Sequence, residues 1–231
     1  MYKIIFPLFL FLSAQSFSQE IKPEVIINEV QNNFNRVQDY QVDVSIKVDV
    51  NFLKVPESKA KLYFKQPDKI HFESEGFALL PKEGMNFSPF AFTKGDYTAL
   101  FEKEETIDGI KNSIIKIIPL GDVNNIILST LWIDRAKKVI RKVESTTKTN
   151  GTFLMELKYD DPKLNYPLPT SMTFIFNIDK LNLPKSISGD MNTESKKEDD
   201  NKSTTGKVFI KYSNYKVNNG ISDSMFDEKK K

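Results

Sequence analysis

Few side chains in this sequence could act as catalysts or as metal ligands. The chain has no cysteine and a single histidine, His71, which excludes thiol catalysis, disulfide bonds and cysteine-based zinc sites. Two carboxylates could work as a general acid and base, but the pairs Asp160-Asp161 and Asp199-Asp200 are sequence neighbours, and neighbours on an extended chain point to opposite faces. Glycine-rich phosphate loops and nucleophile elbows are also missing from the sequence. We therefore expect a protein that is not an enzyme and that uses neither a cofactor nor a metal.

The charge balance argues against nucleic acid as a partner. Lys and Arg total 33 and Asp and Glu total 31, which leaves a formal net charge of +2. Nucleic-acid-binding proteins normally carry a clear basic excess or a basic stripe, and the sequence shows neither. The apolar residues are more informative, because 18 Phe supply a large apolar area without any polar group that needs a partner.

One apolar stretch lies where no regular element is predicted. Residues 77–92 read FALLPKEGMNFSPFAF, with large apolar residues in no fixed period and with Pro81, Gly84 and Pro89 as breakers. Two interpretations remain open. The stretch could line the mouth of an apolar cavity, where Met and Phe adapt to flexible chains, or it could cap the core at one end of a sheet. Its candidates for ligand contact are Leu80, Met85, Phe87, Phe90 and Phe92.

An amphipathic helix is predicted over residues 24–37. Ile26, Val30 and Phe34 are spaced four residues apart and form one apolar stripe. Pro23 fits the first helical turn, where a residue needs no N–H partner. The stripe could seal a sheet, or it could line a cavity between helix and sheet, and periodicity does not separate these two roles.

The hydrophobic period changes to two after the helix. Polar and apolar residues alternate strictly from Gln41 to Phe52, with Val44 and Ile46 in the apolar set. This pattern predicts a half-buried strand. At about 3.3 Å per residue it would be about 40 Å long, and strands of that length usually bend around a barrel-like core.

Further strands follow, with turn signals between them. Leu62 and Phe64 lie on the apolar face of the next strand, and Gln66-Pro67-Asp68 turns the chain into a return strand that contains Phe72. Asn150-Gly151 is a strong hairpin signal, because both residues tolerate the positive φ of a tight turn. With one early helix, the pattern predicts a mainly β domain built on an antiparallel sheet. Besides the strand that starts at residue 70, these later strands are predicted over 59–65, 97–102, 114–118, 126–133, 139–145, 152–159, 171–178 and 207–216.

The N-terminal residues predict export, and the rest of the sequence predicts a single domain. Residues 1–18 carry one lysine, a short apolar run and a small-residue site at Ser16-Phe17-Ser18, which is the layout of a cleavable signal peptide. Spanning a bilayer takes about 20 apolar residues, far more than this run has. Residues 19–231 then form one domain, with a mobile polar loop over 186–206 that has almost no apolar residue to bury.

In the order of these features the sequence resembles the LolA-like family of periplasmic outer-membrane lipoprotein carriers. The signal and helix lead into FNRVQDYQVDVSI (34–46), similar to the family's junction between helix and first strand. AKLYFKQPDKIHFE (60–73) resembles its first hairpin, and LSTLWIDRAKKVIRKVE (128–144) resembles a later hairpin with an Asp-led turn. YKVNNGISDSMFD (215–227) resembles the closing segment, and the whole resemblance covers residues 21–228.

This resemblance implies a fold and a ligand. The fold would be an incomplete, half-open antiparallel β-barrel with the N-terminal helix packed against its concave side. Family members usually carry an Arg directly before the hairpin Pro, where it helps to hold a lid closed, and this chain has Gln66 there. The implied ligand is the acyl chains of a lipoprotein, or another amphiphile, in an apolar cavity. The candidate cavity residues are Ile26, Val30, Phe34, Val44, Ile46, Leu62, Phe64, Phe72, Leu80, Met85, Phe87, Phe90 and Phe92.

The resemblance also implies a role in transport. A monomeric carrier in the periplasm would take lipoproteins from an inner-membrane release complex and pass them to an outer-membrane acceptor. A second hypothesis is a periplasmic sensor or accessory module that binds an amphiphile or a protein partner and transports nothing. A third, a hydrolase acting on lipids, is disfavoured by the missing catalytic residues.

Overall fold

The computed structural model describes residues 22–50, 56–74, 88–121, 125–149, 151–177 and 205–227. The predicted signal peptide and residues 186–204 of the predicted polar loop lie outside the described residues. The described part contains one α-helix, α1 (Pro23–Phe34), and two 3-10 turns at Pro89–Ala91 and Asp223–Met225. Its ten strands are β1 (Asp39–Asp49), β2 (Ser58–Lys65), β3 (Lys69–Ser74), β4 (Tyr97–Ile107), β5 (Ile110–Pro119), β6 (Ile126–Asp134), β7 (Val139–Thr147), β8 (Gly151–Lys158), β9 (Ser171–Asn177) and β10 (Thr205–Val217).

All ten strands form one antiparallel sheet. Its order is β3-β2-β1-β10-β9-β8-β7-β6-β5-β4, so strands that follow each other in sequence are neighbours in the sheet, with the exception of β3 and β4. The first and last strands, β1 and β10, also pair with each other. The edge strands β3 and β4 are not paired with each other. The predicted mainly β architecture, an open antiparallel barrel with one helix, is therefore confirmed.

The two faces of the sheet differ in polarity because side chains alternate along each strand. In β10, Val208 and Ile210 are buried on the inner face, whereas Lys207, Phe209 and Lys211 are exposed on the outer face. The inner-face residues of β1, β2 and β5 to β10 join the apolar residues of α1 in one hydrophobic core. The core thus lies between the helix and the inner face of the sheet.

The helix ends earlier than its sequence pattern predicts. Its last residue is Phe34, not Val37, and Asn35 caps it with its N–H bonded to the carbonyl oxygen of Gln31. Val37 is nevertheless fully buried in the core. The predicted helix was too long because Val37 continues the apolar spacing of the stripe, although the backbone is no longer helical there.

Strands β4 and β5 are longer than the sequence patterns predicted. They join in a hairpin at Asp108-Gly109, where both residues have positive φ, 51° and 75°, as the commonest two-residue hairpin turn requires. This signal was missed, because the charged segment around Glu104 hides the alternation. Strand β10 begins at Thr205, so the last two residues of the predicted polar loop belong to a strand.

Candidate functional site

The apolar stripe of α1 faces the inner side of the sheet. Ile26, Val30 and Phe34 are all buried in the core, as the stripe predicts. The ring of Phe34 lies edge-on to Phe64 of β2, with centroids 5.7 Å apart, and edge-on to Phe90 of the first 3-10 turn at 6.2 Å. Phe34 therefore joins the helix to the sheet and to the segment before β4.

The sheet brings the candidate residues of the first strands together. Val44 and Ile46 of β1 and Leu62 and Phe64 of β2 are buried in the same core. Phe72 of β3 pairs directly with Leu62 and is partly buried against that core. Five candidates from three adjacent strands thus line one end of the inner face.

The described part of the connection from β3 to β4 comprises residues 88–96. Of the five candidates in the whole connection, Phe92 is buried and Phe90 is partly buried against the core, while Leu80, Met85 and Phe87 lie outside the described residues. The side chain of Gln31 on α1 donates a hydrogen bond of 2.8 Å to the hydroxyl of Thr93. The described end of this connection therefore packs on the helix.

Sequence reasoning missed the inner-face residues contributed by the second half of the chain. They occupy alternate positions of β5 to β10, and the signal that could have found them is the same two-residue alternation that revealed β1. The predicted candidates end at Phe92, because all of them belong to the helix, the first three strands or the irregular apolar stretch. The missed residues that are buried in this core include Ile115, Ile117, Leu131, Val143, Met155, Leu157, Met172, Phe174, Val208 and Ile210.

A small pocket opens at the C-terminal half of α1. Its empty volume is about 230 Å³, part of it open to solvent, and ligand pockets typically measure about 300–1,000 Å³. The pocket is therefore too small for a long acyl chain unless the helix or the neighbouring connection moves. It is lined by Val30, Phe34, Pro89, Lys138, Val139, Ile140, Tyr159 and Pro167.

The helix is held to its surroundings by a few polar contacts. Asn33 donates hydrogen bonds to the carbonyl oxygens of Lys137 and Lys138 in the turn between β6 and β7, at 3.0 and 3.2 Å. Arg135 of the same turn lies 3.5 Å from the carboxylate of Glu29. Both contacts are solvent-accessible, and exposed ion pairs contribute about 0–1 kcal/mol. Apolar packing therefore supplies most of the attachment of α1.

Several polar groups inside the core are paired with each other or with the backbone. The hydroxyls of Ser129 and Ser145, both fully buried, are 2.6 Å apart on the inner face of β6 and β7. The Tyr159 hydroxyl donates to the carbonyl oxygen of Ile140, and that of Tyr215 donates to Pro169. Burial raises the pKa of both tyrosines, so they remain neutral and bring no charge into the interior.

The C-terminal segment closes one end of the sheet around a buried carboxylate. Asp39, at the start of β1, is 5 % exposed. It accepts hydrogen bonds from the backbone N–H groups of Asn219, Gly220 and Ile221 at 3.0–3.4 Å. These bonds satisfy the carboxylate without a positively charged partner. They also tie the end of the chain to the junction between α1 and β1.

The first hairpin is bonded to the same junction. The side-chain amide of Gln66 donates a hydrogen bond of 3.1 Å to the carbonyl oxygen of Val37. Lys65 and Lys69 both contact the carboxylate of Asp223, at 3.1 and 2.7 Å. The hydrogen bond from Lys69, followed by that from Lys65, lowers the pKa of Asp223. Gln66 thus makes a neutral contact at the position where the resembling family usually has Arg.

The described residues show no group of three His, Asp or Glu side chains that could hold a metal ion. Within the same part of the chain, no helix has the length and apolarity needed to cross a membrane. The described residues therefore form an apolar interior that α1 covers.

Comparison with known proteins identifies the fold by structure alone. No model of a protein family matches the sequence, and no curated protein shows significant sequence similarity to it. Among solved structures, a LolA superfamily protein from Nitrosomonas europaea is similar, with a TM-score of 0.59, 14 % identity, and coverage of 90 % of this chain and 98 % of that one. A domain assigned to outer membrane lipoprotein sorting in Vibrio parahaemolyticus is also similar, with a TM-score of 0.60, 11 % identity, and coverage of 89 % of this chain and 97 % of that one.

A DUF1329 family protein from Desulfovibrio piger is similar as well, with a TM-score of 0.57, 13 % identity, and coverage of 89 % of this chain and 97 % of that one. Identities this low carry no information about ligands, but the three alignments span nearly the whole of each chain. They agree with the open sheet and the helix on its inner face. The chain therefore has the LolA-like fold.

Proposed function

We propose that this protein is an exported carrier that binds the acyl chains of a lipoprotein between α1 and the inner face of the sheet. One observation carries the proposal: an apolar inner face on a sheet that does not close, covered by an amphipathic helix. One of the structural neighbours is a domain assigned to lipoprotein sorting, in accord with this role.

In this proposal an acyl chain binds by replacing α1 in its apolar contacts with the inner face of the sheet. In the structure described here α1 occupies the inner face, and a long acyl chain needs more room than the pocket beside it offers. When a chain enters, the stripe of α1 leaves the sheet and the chain takes its place. Each buried CH₂ contributes about 0.8 kcal/mol, so several acyl chains offset the lost packing of the helix. The polar contacts of Glu29 and Asn33 are weak enough to break in this step.

We further propose a cellular location for this carrier and a route for its cargo. A cleaved signal peptide would place a monomer in the periplasm, where it would accept lipoproteins from an inner-membrane release complex and deliver them to an outer-membrane acceptor. Because the chain only binds and releases its cargo, it needs no catalytic group and no cofactor. An opened interior holding acyl chains releases them when a partner offers a more favourable apolar site.

A fluorescent fatty acid tests the binding step. We expect one probe to bind per protein, and a triacylated lipopeptide to compete with it. Phe34→Ser should raise probe affinity about tenfold or more, because the acyl chain then has less packing of the helix to displace. Val25→Ser is the matched control, since Val25 is on the same helix and is 52 % exposed. Failure of the probe to bind the folded wild type would contradict the carrier proposal.

A second measurement separates transport from sensing. The loaded protein is mixed with vesicles, and release of the lipopeptide is followed over time. A carrier must transfer its ligand to an acceptor, whereas a sensor or accessory module retains it. Tight binding with no transfer, in the presence of outer-membrane extract as the source of an acceptor, would favour the sensor.

A further inference from the structure

The outer face of the sheet carries an aromatic side chain surrounded by lysines. Phe209 of β10 is 37 % exposed, and it pairs in register with Lys47 of β1. Lys207 and Lys211 lie two residues before and after it on the same face of β10, and all three lysines are exposed. Directly opposed residues have Cβ atoms about 5 Å apart, so Lys47 lies beside Phe209 across the strands, and Lys207 and Lys211 flank it along β10. We call these four residues the lysine patch.

The lysine patch forms no ion pair within the part of the chain that the structure describes. None of its three ammonium groups lies within 4 Å of a carboxylate among the described residues. Asp49 pairs with Lys207 in register, but its carboxylate is not within 4 Å of that ammonium group either. Lysines at the far edge of the sheet are different. In β4 and β5, Lys103, Lys111 and Lys116 each contact a glutamate.

We propose that the lysine patch docks the protein on the surface of an anionic phospholipid bilayer. An anionic partner is indicated by the three unpaired charges. An apolar component is indicated by the exposed ring, which can enter the boundary between headgroups and acyl chains while the lysine stems extend their ammonium groups to the phosphates. The patch faces away from α1, so docking leaves the interior free.

A bilayer fits this patch better than an acidic protein does. Protein interfaces are enriched in Arg and depleted in Lys, and β1, β2 and β10 contain no Arg at all. Each Lys near an anionic membrane surface contributes about 1 kcal/mol, and salt screens this attraction. Three lysines and one ring give weak, reversible adsorption. This suits a protein that visits a membrane without being anchored in it, and it does not depend on the proposed cargo.

Vesicle partitioning tests the proposal. The probes are vesicles of phosphatidylcholine with a quarter of phosphatidylglycerol, and vesicles of phosphatidylcholine alone. The readout is the ratio of the two partition coefficients, because this ratio isolates the electrostatic part of binding from any apolar part. Replacing Lys47, Lys207 and Lys211 by Gln together should lower this ratio on the order of 100-fold at low salt. The matched control replaces Lys103, Lys111 and Lys116 by Gln, which changes the net charge equally and should leave the ratio within about threefold.

A fluorescent variant reports on the ring itself. Phe209→Trp should show a blue-shifted emission with anionic vesicles, relative to wild type, and no shift with neutral vesicles. Circular dichroism confirms that each variant is folded, and all the substituted side chains are exposed. Equal losses in the patch variant and its control, or an unshifted emission, would overturn the proposal. So would binding to polyglutamate that is tighter than binding to the anionic vesicles, since that result would indicate an acidic protein partner.

Discussion

The ring of Phe34 on the helix meets the ring of Phe64 on β2 edge-on, at a centroid distance of 5.7 Å. Both side chains are buried, at 3 % and 1 % exposure. Edge-to-face pairs of this kind add about 0.5–1.5 kcal/mol to the contribution of their buried area. This contact joins the helix directly to the first hairpin and adds to the packing that holds the helix on the inner face.

Replacing Phe34 by Ala should destabilise the unliganded protein strongly. A buried Phe lost from a core costs about 3–5 kcal/mol, and we expect that loss in the free energy of unfolding measured with urea. Val25→Ala on the exposed side of the same helix should change it by less than about 0.5 kcal/mol. A loss below about 1 kcal/mol for Phe34→Ala would show that the helix is not packed as described.

The Gln66 amide should hold the hairpin to the end of the helix. Removing it with Gln66→Ala leaves the carbonyl oxygen of Val37 without this donor, and we expect a loss of about 1 kcal/mol. Because the contact must open when the helix leaves, the fluorescent fatty acid should also associate faster with the variant. Gln38→Ala is the control, since its amide donates to the exposed carbonyl of Asn35. Equal association rates for both variants would argue against a latch at Gln66.

Protonation of Asp223 should weaken the hold on the C-terminal segment. Its pKa is lowered by the hydrogen bond from Lys69 and then by that from Lys65. A carboxyl with a lowered folded-state pKa stabilises the fold above its unfolded-state pKa, and the contribution disappears as the pH falls through the folded-state value. Wild type and Asp223→Asn should therefore differ in urea midpoint at pH 7 and converge as the pH falls below the usual range for Asp. A difference that stays constant with pH would contradict this.

Gly206 should tolerate no side chain at the start of β10. A Cβ atom there would lie 2.6 Å from Cζ of Phe176 and 2.9 Å from Cγ1 of Val50, closer than packed atoms allow. We expect Gly206→Ala to lower the free energy of unfolding by about 1–3 kcal/mol through overpacking. Lys207→Ala, one residue along and exposed, provides the comparison. An unchanged melting temperature for Gly206→Ala would mean that the Phe176 ring moves freely aside.

Most of the sheet could be predicted from the sequence because its strands have one buried and one exposed face. Strict alternation placed β1, β2 and β10 within a few residues of their observed bounds. The hairpin at Asp108-Gly109 was missed because the end of β4 is charged and largely exposed, so polar and apolar residues do not alternate there. The helix end at Phe34 was misplaced because periodicity records which side is buried, not whether the backbone is still helical.

The site was only partly predictable for a different reason. The candidates Phe34, Phe64 and Phe90 were found from their own segments, yet their meeting depends on the order of strands in the sheet. The clasp of Asp39 by the backbone of residues 219–221 joins positions about 180 residues apart. No local sequence pattern indicates such a contact, because every residue type except proline has the backbone N–H group that makes it.

The most direct test of the central claim is methyl NMR with a stearic acid that carries a nitroxide near its methyl end. If acyl chains replace the helix on the inner face, the nitroxide broadens the methyl resonances of buried inner-face residues such as Ile46, Met155 and Met172. The methyls of Leu100 and Ile118, which are exposed on the outer face, should remain sharp. Broadening confined to the outer methyls, or none at a saturating concentration of the fatty acid, would contradict the account.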